Sequence, residues 1–219
     1  KFHERGIRVV MDMVYNHMMS TVNMDNIVPG YYFRSDYLGR YTNGSGCGNE
    51  LASERPMVRK FIIDSCLHWI KDYKIDGIRF DLMELLDIDT TKEIVKKTTK
   101  LDKNFLIYGE PWKGGSSPLV NGTYKGSQKN ENFSIFNDTF RDAIRGNNHP
   151  SSGFINGNQY SSICNWSIIE GLKGSIYTIT SNPNESINYV DAHDNYTLWD
   201  QVEKSQNQSI KFGEFRFNI

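Results

Sequence analysis

Short apolar runs alternate along the chain with longer stretches in which apolar residues recur at helical spacing. After Gly6, a natural helix C-terminus, Ile7-Arg8-Val9-Val10-Met11-Asp12-Met13-Val14 predicts a strand over 7–14. Residues 18–52 follow neither period and end in the small-residue run Asn43-Gly44-Ser45-Gly46-Cys47-Gly48, so a long loop is expected there. Ser53 is placed to cap the next helix, with Pro56 in its first turn. Val58, Phe61, Ile62, Cys66, Trp69, Ile70 and Tyr73 then give that helix one apolar face. Gly77-Ile78-Arg79-Phe80-Asp81-Leu82 predicts a second strand, Thr90 to Thr99 a helix, and Phe105-Leu106-Ile107-Tyr108 a third strand closed by Gly109 and Glu110. Residues 111–135 read as loop, and Phe136 opens a weaker strand that runs into a helix through Phe140, Ala143 and Ile144. Trp166 to Ile176 reads as a helix, Ile187-Asn188-Tyr189-Val190 as the last strand, and Thr197-Leu198-Trp199-Asp200 as the start of a further helix.

Strand followed by helix, with apolar strands, argues for an α/β fold in which helices cover a parallel sheet. Roughly five such units fit, against eight in a closed (β/α)8 TIM barrel of about 250 residues. A partial barrel is the expectation; periodicity alone equally allows an open doubly wound sheet. No internal repeat or low-complexity linker divides residues 1–219, which are read as one domain with a long loop insertion at about 18–52.

Composition narrows the partners. A net charge of −1 and a pI near 6.6 give no electrostatic case for nucleic acid or an anionic membrane. Cys47, Cys66 and Cys164 are too few and too scattered for a disulfide framework or a zinc site, and Cys66 reads as a small core residue. No apolar run reaches membrane-spanning length and no signal peptide is recognisable. The opening Lys1-Phe2-His3-Glu4-Arg5-Gly6 reads as the end of a helix already under way, and both ends of the chain look cut from something larger. The compartment, cytoplasmic or secreted and cell-surface, stays open.

The candidate chemistry sits at strand ends. Asp12, Asn16 and His17 surround the first; Arg79 and Asp81 end the second; Glu110 follows the third; Asp191, His193 and Asp194 follow the last. Any one of these has an ordinary reading as a helix cap, a loop hydrogen-bonder or a satisfied histidine, and Asp12, inside its strand, suits a structural hydrogen bond. Their recurrence at corresponding ends of successive strands is what matters, because a parallel barrel gathers those ends on one face.

Those residues carry a resemblance. Asp12-Met13-Val14-Tyr15-Asn16-His17, Gly77-Ile78-Arg79-Phe80-Asp81-Leu82-Met83, Tyr108-Gly109-Glu110-Pro111-Trp112 and Tyr189-Val190-Asp191-Ala192-His193-Asp194-Asn195 resemble, in order, four signatures of the α-amylase superfamily of glycoside hydrolases. Val28-Pro29-Gly30-Tyr31-Tyr32, the run Thr42 to Glu50, and Ala52-Ser53-Glu54-Arg55-Pro56-Met57 are similar to type I pullulanases, as is Thr197-Leu198-Trp199-Asp200 after His193-Asp194-Asn195. The resemblance implies a partial catalytic (β/α)8 barrel, roughly the third to seventh strand with intervening helices. It implies hydrolysis of α-1,6-glucosidic branch linkages in pullulan, starch or glycogen-derived glucans by double displacement, with an α-glucan as substrate. Asp81 is then the nucleophile, Glu110 the general acid/base and Asp194 the third acid, which binds and distorts the sugar. His17 and His193 would hydrogen-bond sugar hydroxyls, Arg79 would keep Asp81 ionised, and Trp112 would stack on the sugar unless it is a packed loop aromatic. Tyr15 and Asn195 complete the expected substrate-binding set. No cofactor is required. Asn16 matches a position that ligates calcium in many α-amylases, so calcium stays open, although pullulanase-like relatives often lack that site. The alternatives are an α-1,4-acting hydrolase of the same superfamily and a non-catalytic glucan-binding barrel.

Physical chemistry points the same way. Retention at a glycosidic carbon needs two carboxyl groups about 5 to 5.5 Å apart, against roughly 6.5 to 9.5 Å for inversion. Asp81 and Glu110 end strands expected to be neighbours, which lie about 4.8 Å apart. Arg79, two residues before Asp81, shares its side of the strand and favours an ionised nucleophile. Glu110 needs the opposite, a proton before attack, with Pro111 and Trp112 as candidates to desolvate it.

Overall fold

A computed structural model describes residues 1–149 and 151–210, the last five as backbone only. The chain divides into two units, Lys1–Ile135 and Phe136 onward.

In the first unit β1 (Val10–Met13), β2 (Gly77–Phe80), β3 (Leu106–Gly109) and β4 (Ser134–Phe136, whose last residue opens the second unit) follow chain order, and every pairing is parallel. The register sets Asp12 against Arg79 and Arg79 against Tyr108, so these three stand in one row across the sheet. Side chains two residues further along share that face; on β2 and β3 these are Asp81 and Glu110. β2 is buried at all four positions, as the apolar run predicts for a strand covered on both faces. Gly77 and Gly109 admit no side chain: an added Cβ would lie 2.7 Å from Leu106 Cβ at the first and 2.6 Å from Met83 Sδ at the second.

β1 is shorter than the run Ile7 to Val14, both ends of which are half exposed. The stretch between β1 and the next long helix is mostly loop, as expected, with a little regular structure. It holds the short α1 (Val22–Asp25) and antiparallel bridges Phe33 to Leu51 and Ser35 to Tyr41. The helix α2 (Pro56–Tyr73) starts on Pro56 as expected, but its N-cap is Arg55, without a capping side chain. Ser53 is not the cap, because its hydroxyl accepts from the Asp87 N–H and from Arg34. Val58, Ile62, Cys66 and Ile70 form the buried stripe of α2, while Phe61 and Tyr73 at the margins are exposed. Burial pushes the Cys66 thiol up to about 12, which suits a core residue. Asp87 caps α3 (Ile88–Leu101), accepting from the Thr90 N–H at 3.0 Å.

In the second unit Asn137 caps α4 (Asp138–Arg145), and its N–H donates to Ile187 O in β5 (Ser186–Ile187). β5 is two residues long rather than 187–190. Asn188, next in line, turns its side chain to Gly171 O and Asn137. α5 (Ser162–Leu172) begins four residues before Trp166, where the Ser161 hydroxyl accepts from the Cys164 N–H. α6 (Leu198–Ile210) starts after Thr197, whose hydroxyl accepts from the Asp200 N–H. No described helix is long and apolar enough to cross a membrane. All three cysteines are free.

Candidate active site

Two strand ends bring the first pair of acids together. Asp81 follows β2 and Glu110 follows β3, and the backbone continues the sheet's bonding through both, Asp81 N–H to Met13 O and Glu110 N–H to Phe80 O. A carboxylate oxygen of Asp81 and one of Glu110 lie within 4.8 Å of each other. Glu110 is buried and Asp81 about one-fifth exposed, so each is sheltered while Asp81 keeps an open approach.

Arg79 holds the pair. Its Nη1 donates to Asp12 Oδ1 at 2.8 Å and to Asp81 Oδ1 at 3.1 Å, and its Nη2 donates to Glu110 Oε1 at 2.5 Å. Burial works against the Arg79 charge, yet Glu110, Asp12 and Asp81 together hold its pKa above the ordinary arginine value. One planar guanidinium thus fixes three carboxylates, one within β1 and one just past the end of each of β2 and β3, which a single ammonium point charge could not do with the same geometry. Asp12 serves as one arm of this network, in keeping with a structural hydrogen bond.

The other oxygen of each acid has its own donor. Asn16, fully buried, donates from Nδ2 to Asp81 Oδ2 at 2.9 Å and to Asp81 O at 2.8 Å. Its Oδ1 meets His17 Nδ1 at 2.6 Å, which orients the imidazole beside the acids. Glu110 Oε2 accepts the Leu82 N–H at 2.9 Å. Leu82 reaches that geometry with φ 40° and ψ 51°, a left-handed conformation costly for a leucine. Strain beside the Asp81 carboxylate is therefore tied to a donor aimed at Glu110. Neither the Asn16 contact nor the Leu82 turn is visible in residue types; the position of Asn16 at the end of β1 was the one available signal.

The remaining expected residues fall in different places. Trp112 is half buried in the loop two residues past Glu110. Tyr15 does not face the acids: it is 6% exposed, donates or accepts at Ser65 Oγ on α2 at 2.8 Å, and packs its ring 6.0 Å from Phe80. Tyr15 lies past the end of β1 and its side chain goes to α2 and Phe80, while the next side chain, Asn16, goes to Asp81. His193, Asp194 and Asn195 belong to the second unit, in an exposed turn before α6 in which His193 Nε2 lies 3.7 Å from Asp194 Oδ1 and Asn195 is left-handed at φ 67°. Asp191, in the same motif, accepts the Leu198 N–H at 3.0 Å.

A parallel α/β sheet thus carries an Asp and a Glu, bridged by one Arg, at the carboxyl ends of adjacent strands, a site built on paired carboxyl groups. Comparison with known proteins narrows the class. No family model matches the chain. It is 40% identical over 212 residues to a pullulanase of Bacillus subtilis (strain 168), a match covering 91% of this chain and 29% of that protein. It is 31% identical to chloroplastic pullulanase 1 of Arabidopsis thaliana, over 95% of this chain and 28% of that protein. Among solved structures, a pullulanase from Bacillus acidopullulyticus superposes with a TM-score of 0.90 and 44% identity, covering 94% of this chain and 26% of that one. A pullulanase of Anoxybacillus sp. LM18-11 complexed with maltotriose gives a TM-score of 0.87 and 40% identity, covering 94% and 30%. The chain is a homologue of the pullulanases along nine-tenths of its own length, and it spans under a third of the relatives it matches.

Proposed function

We propose that residues 1–219 are part of the catalytic (β/α)8 barrel domain of a debranching enzyme that hydrolyses α-1,6-glucosidic linkages in pullulan and related α-glucans with retention of configuration. The observation that carries this reading is the Asp81–Glu110 pair gripped by Arg79, in a chain whose relatives are pullulanases. Asp81 attacks the anomeric carbon and forms a glycosyl ester while Glu110 protonates the departing glycosidic oxygen. Glu110 then takes a proton from water, which attacks the same carbon and releases Asp81. An oxygen of each acid within 4.8 Å of the other favours the shorter separation of a retaining pair over the wider gap that an inverting enzyme leaves for its water.

Glu110 enters the cycle as an acid, yet both its oxygens accept hydrogen bonds, from Arg79 and from the Leu82 N–H. In the proposed cycle the entering sugar displaces one of these donors, and the proton takes its place. Asp194 is assigned to binding and distorting the sugar, His17, His193 and Asn195 to its hydroxyls, and Trp112 to its apolar face. The chemistry needs two carboxyl groups and water, and no organic or redox group. Asn16 turns Nδ2 to Asp81 and Oδ1 to His17 Nδ1, so the role assigned to it is to hold the nucleophile and the imidazole. No step is routed through a metal.

The test is an assay of the full-length protein that carries this chain on pullulan, with the products resolved. Release of maltotriose supports α-1,6 cleavage. Release of short glucans from amylose without maltotriose from pullulan places the enzyme with the α-1,4-acting hydrolases, and binding without release leaves a glucan-binding barrel.

A further inference from the structure

Glu50 is fully buried, and both its carboxylate oxygens are engaged. Oε1 accepts from the Thr42 hydroxyl at 2.5 Å and from the Gly44 N–H at 3.2 Å; Oε2 accepts from Arg34 Nη1 at 3.0 Å and from the Ser117 hydroxyl at 2.6 Å. Arg34, 2% exposed, carries the node onward: its Nη2 donates to Leu85 O at 3.0 Å and to Glu54 Oε2 at 2.8 Å. One buried ion pair therefore joins three segments, namely the loop after β1, the turn Met83–Leu85 that follows Asp81 and Leu82, and the loop that follows Glu110.

The backbones of the first and third segments are zipped against each other around this pair. Gly115 N–H donates to Gly44 O at 2.8 Å. An added Cβ on Gly44 would stand 2.7 Å from Glu50 Oε2 and 2.8 Å from Ser117 Cβ, and one on Gly114 would stand 2.3 Å from Ser45 O. The same loop reaches back to the end of β1. Leu51 N–H donates to Asn16 O at 2.8 Å, and Asn49 exchanges two hydrogen bonds with the Met18 backbone. The residue that holds Asp81 and the loop that leaves Glu110 thus lean on one carboxylate.

We propose that Glu50, with Arg34, is a positioning residue that sets the loops bearing Asn16, His17 and Trp112 around the Asp81–Glu110 pair. The proposal rests on the hydrolase reading above. A buried charge pair with its oxygens fully engaged does not merely add stability, since such pairs roughly balance their desolvation cost; what it adds is one geometry for three loops that are distant in sequence. Catalysis by positioned groups is sensitive to that geometry at the ångström scale.

Ser117→Ala is the informative variant, because it removes the side-chain link from Glu50 to the loop after Glu110, together with the local Leu119 N–H bond to the same hydroxyl, and leaves the buried Arg34–Glu50 pair intact. In the full-length protein it is expected to lower kcat on pullulan roughly tenfold or more with a smaller change in KM, and to raise amide hydrogen exchange in residues 43–48 and 112–117. Ser117→Thr, which keeps the hydroxyl, should restore both. Glu50→Gln should reproduce the kcat loss and add a loss of thermal stability. Wild-type kcat in Ser117→Ala overturns the proposal, whatever Glu50→Gln does. Absence of α-glucan hydrolysis by the unmodified protein instead sinks the hydrolase reading; unchanged exchange in both loops of Ser117→Ala then overturns the link on its own.

Discussion

At the scale of single residues, the account turns on Arg79. The sequence places it two residues before Asp81, and that spacing alone puts both side chains on one face of β2. What spacing could not reveal is that its second nitrogen reaches Glu110, so that Asp81 and Glu110 share one cation. Replacing Arg79 with Met leaves a buried glutamate without its ion pair, and should destabilise the protein by about 3–5 kcal/mol, read by urea unfolding. Arg79→Lys keeps the charge but cannot fork to three carboxylates, so it should hold most of the stability and still lose activity by a hundredfold or so. Equal activity of the Lys variant and the native protein would remove the fork from the argument. Tyr15 makes the contrary point: motif membership suggests a sugar contact, while its side chain is buried against Phe80 and Ser65.

At the scale of elements, strands were legible wherever the apolar run was bounded by glycine, as in β2 and β3. They were misjudged where apolar residues continue past the hydrogen-bonded part. Ile7 and Val14 extend the run around β1 but stand half exposed. Helix starts depended on caps, and a cap is a choice among nearby polar residues that only tertiary contacts make. Ser53 was a reasonable candidate until Asp87 and Arg34 claimed its hydroxyl. Asp87, which does cap a helix, gives a pH prediction. Burial would raise its carboxyl, but the Thr90 hydroxyl, Ser53, the Thr90 N–H and Arg59 together hold it below the usual carboxylate range. A depressed folded value means that its contribution is fully present above the unfolded value of about 3.9 and is lost as pH falls through the folded one. Asp87→Asn should therefore cost about 1–3 kcal/mol at neutral pH, with the gap to the native protein closing below about pH 4 in acid unfolding curves. A gap that persists unchanged into strong acid would contradict the assignment.

At the scale of the whole molecule, the α/β class and the parallel order of the strands were readable from alternation, because βαβ units leave a signature in both period and length. The Glu50 node was not readable. Its partners at positions 34, 42, 44 and 117 are brought together by loops whose sequence carries only the general mark of small residues. The match to under a third of each relative's length also sets an expectation. β1 has no partner strand on its outer side among the described residues, and an open sheet edge is a liability in isolation. Residues 1–219 expressed alone should show no hydrolysis of pullulan in a reducing-end assay, whereas the longer protein should. Turnover by the isolated segment would mean that the site needs nothing beyond these residues.

The central claim is that Asp81 forms a covalent bond to the sugar while Glu110 shuttles the proton. It is tested most directly by trapping that bond. The full-length protein is incubated with a fluorinated α-glucosyl donor bearing a good leaving group, which slows breakdown of the glycosyl-enzyme, and the digested protein is mapped by mass spectrometry. The expected result is a single glycosyl adduct on the peptide containing Asp81, abolished in Asp81→Asn and still formed in Glu110→Gln, where the leaving group needs no acid. An adduct on any other residue, or product formed with inverted configuration and no adduct at all, would contradict the account.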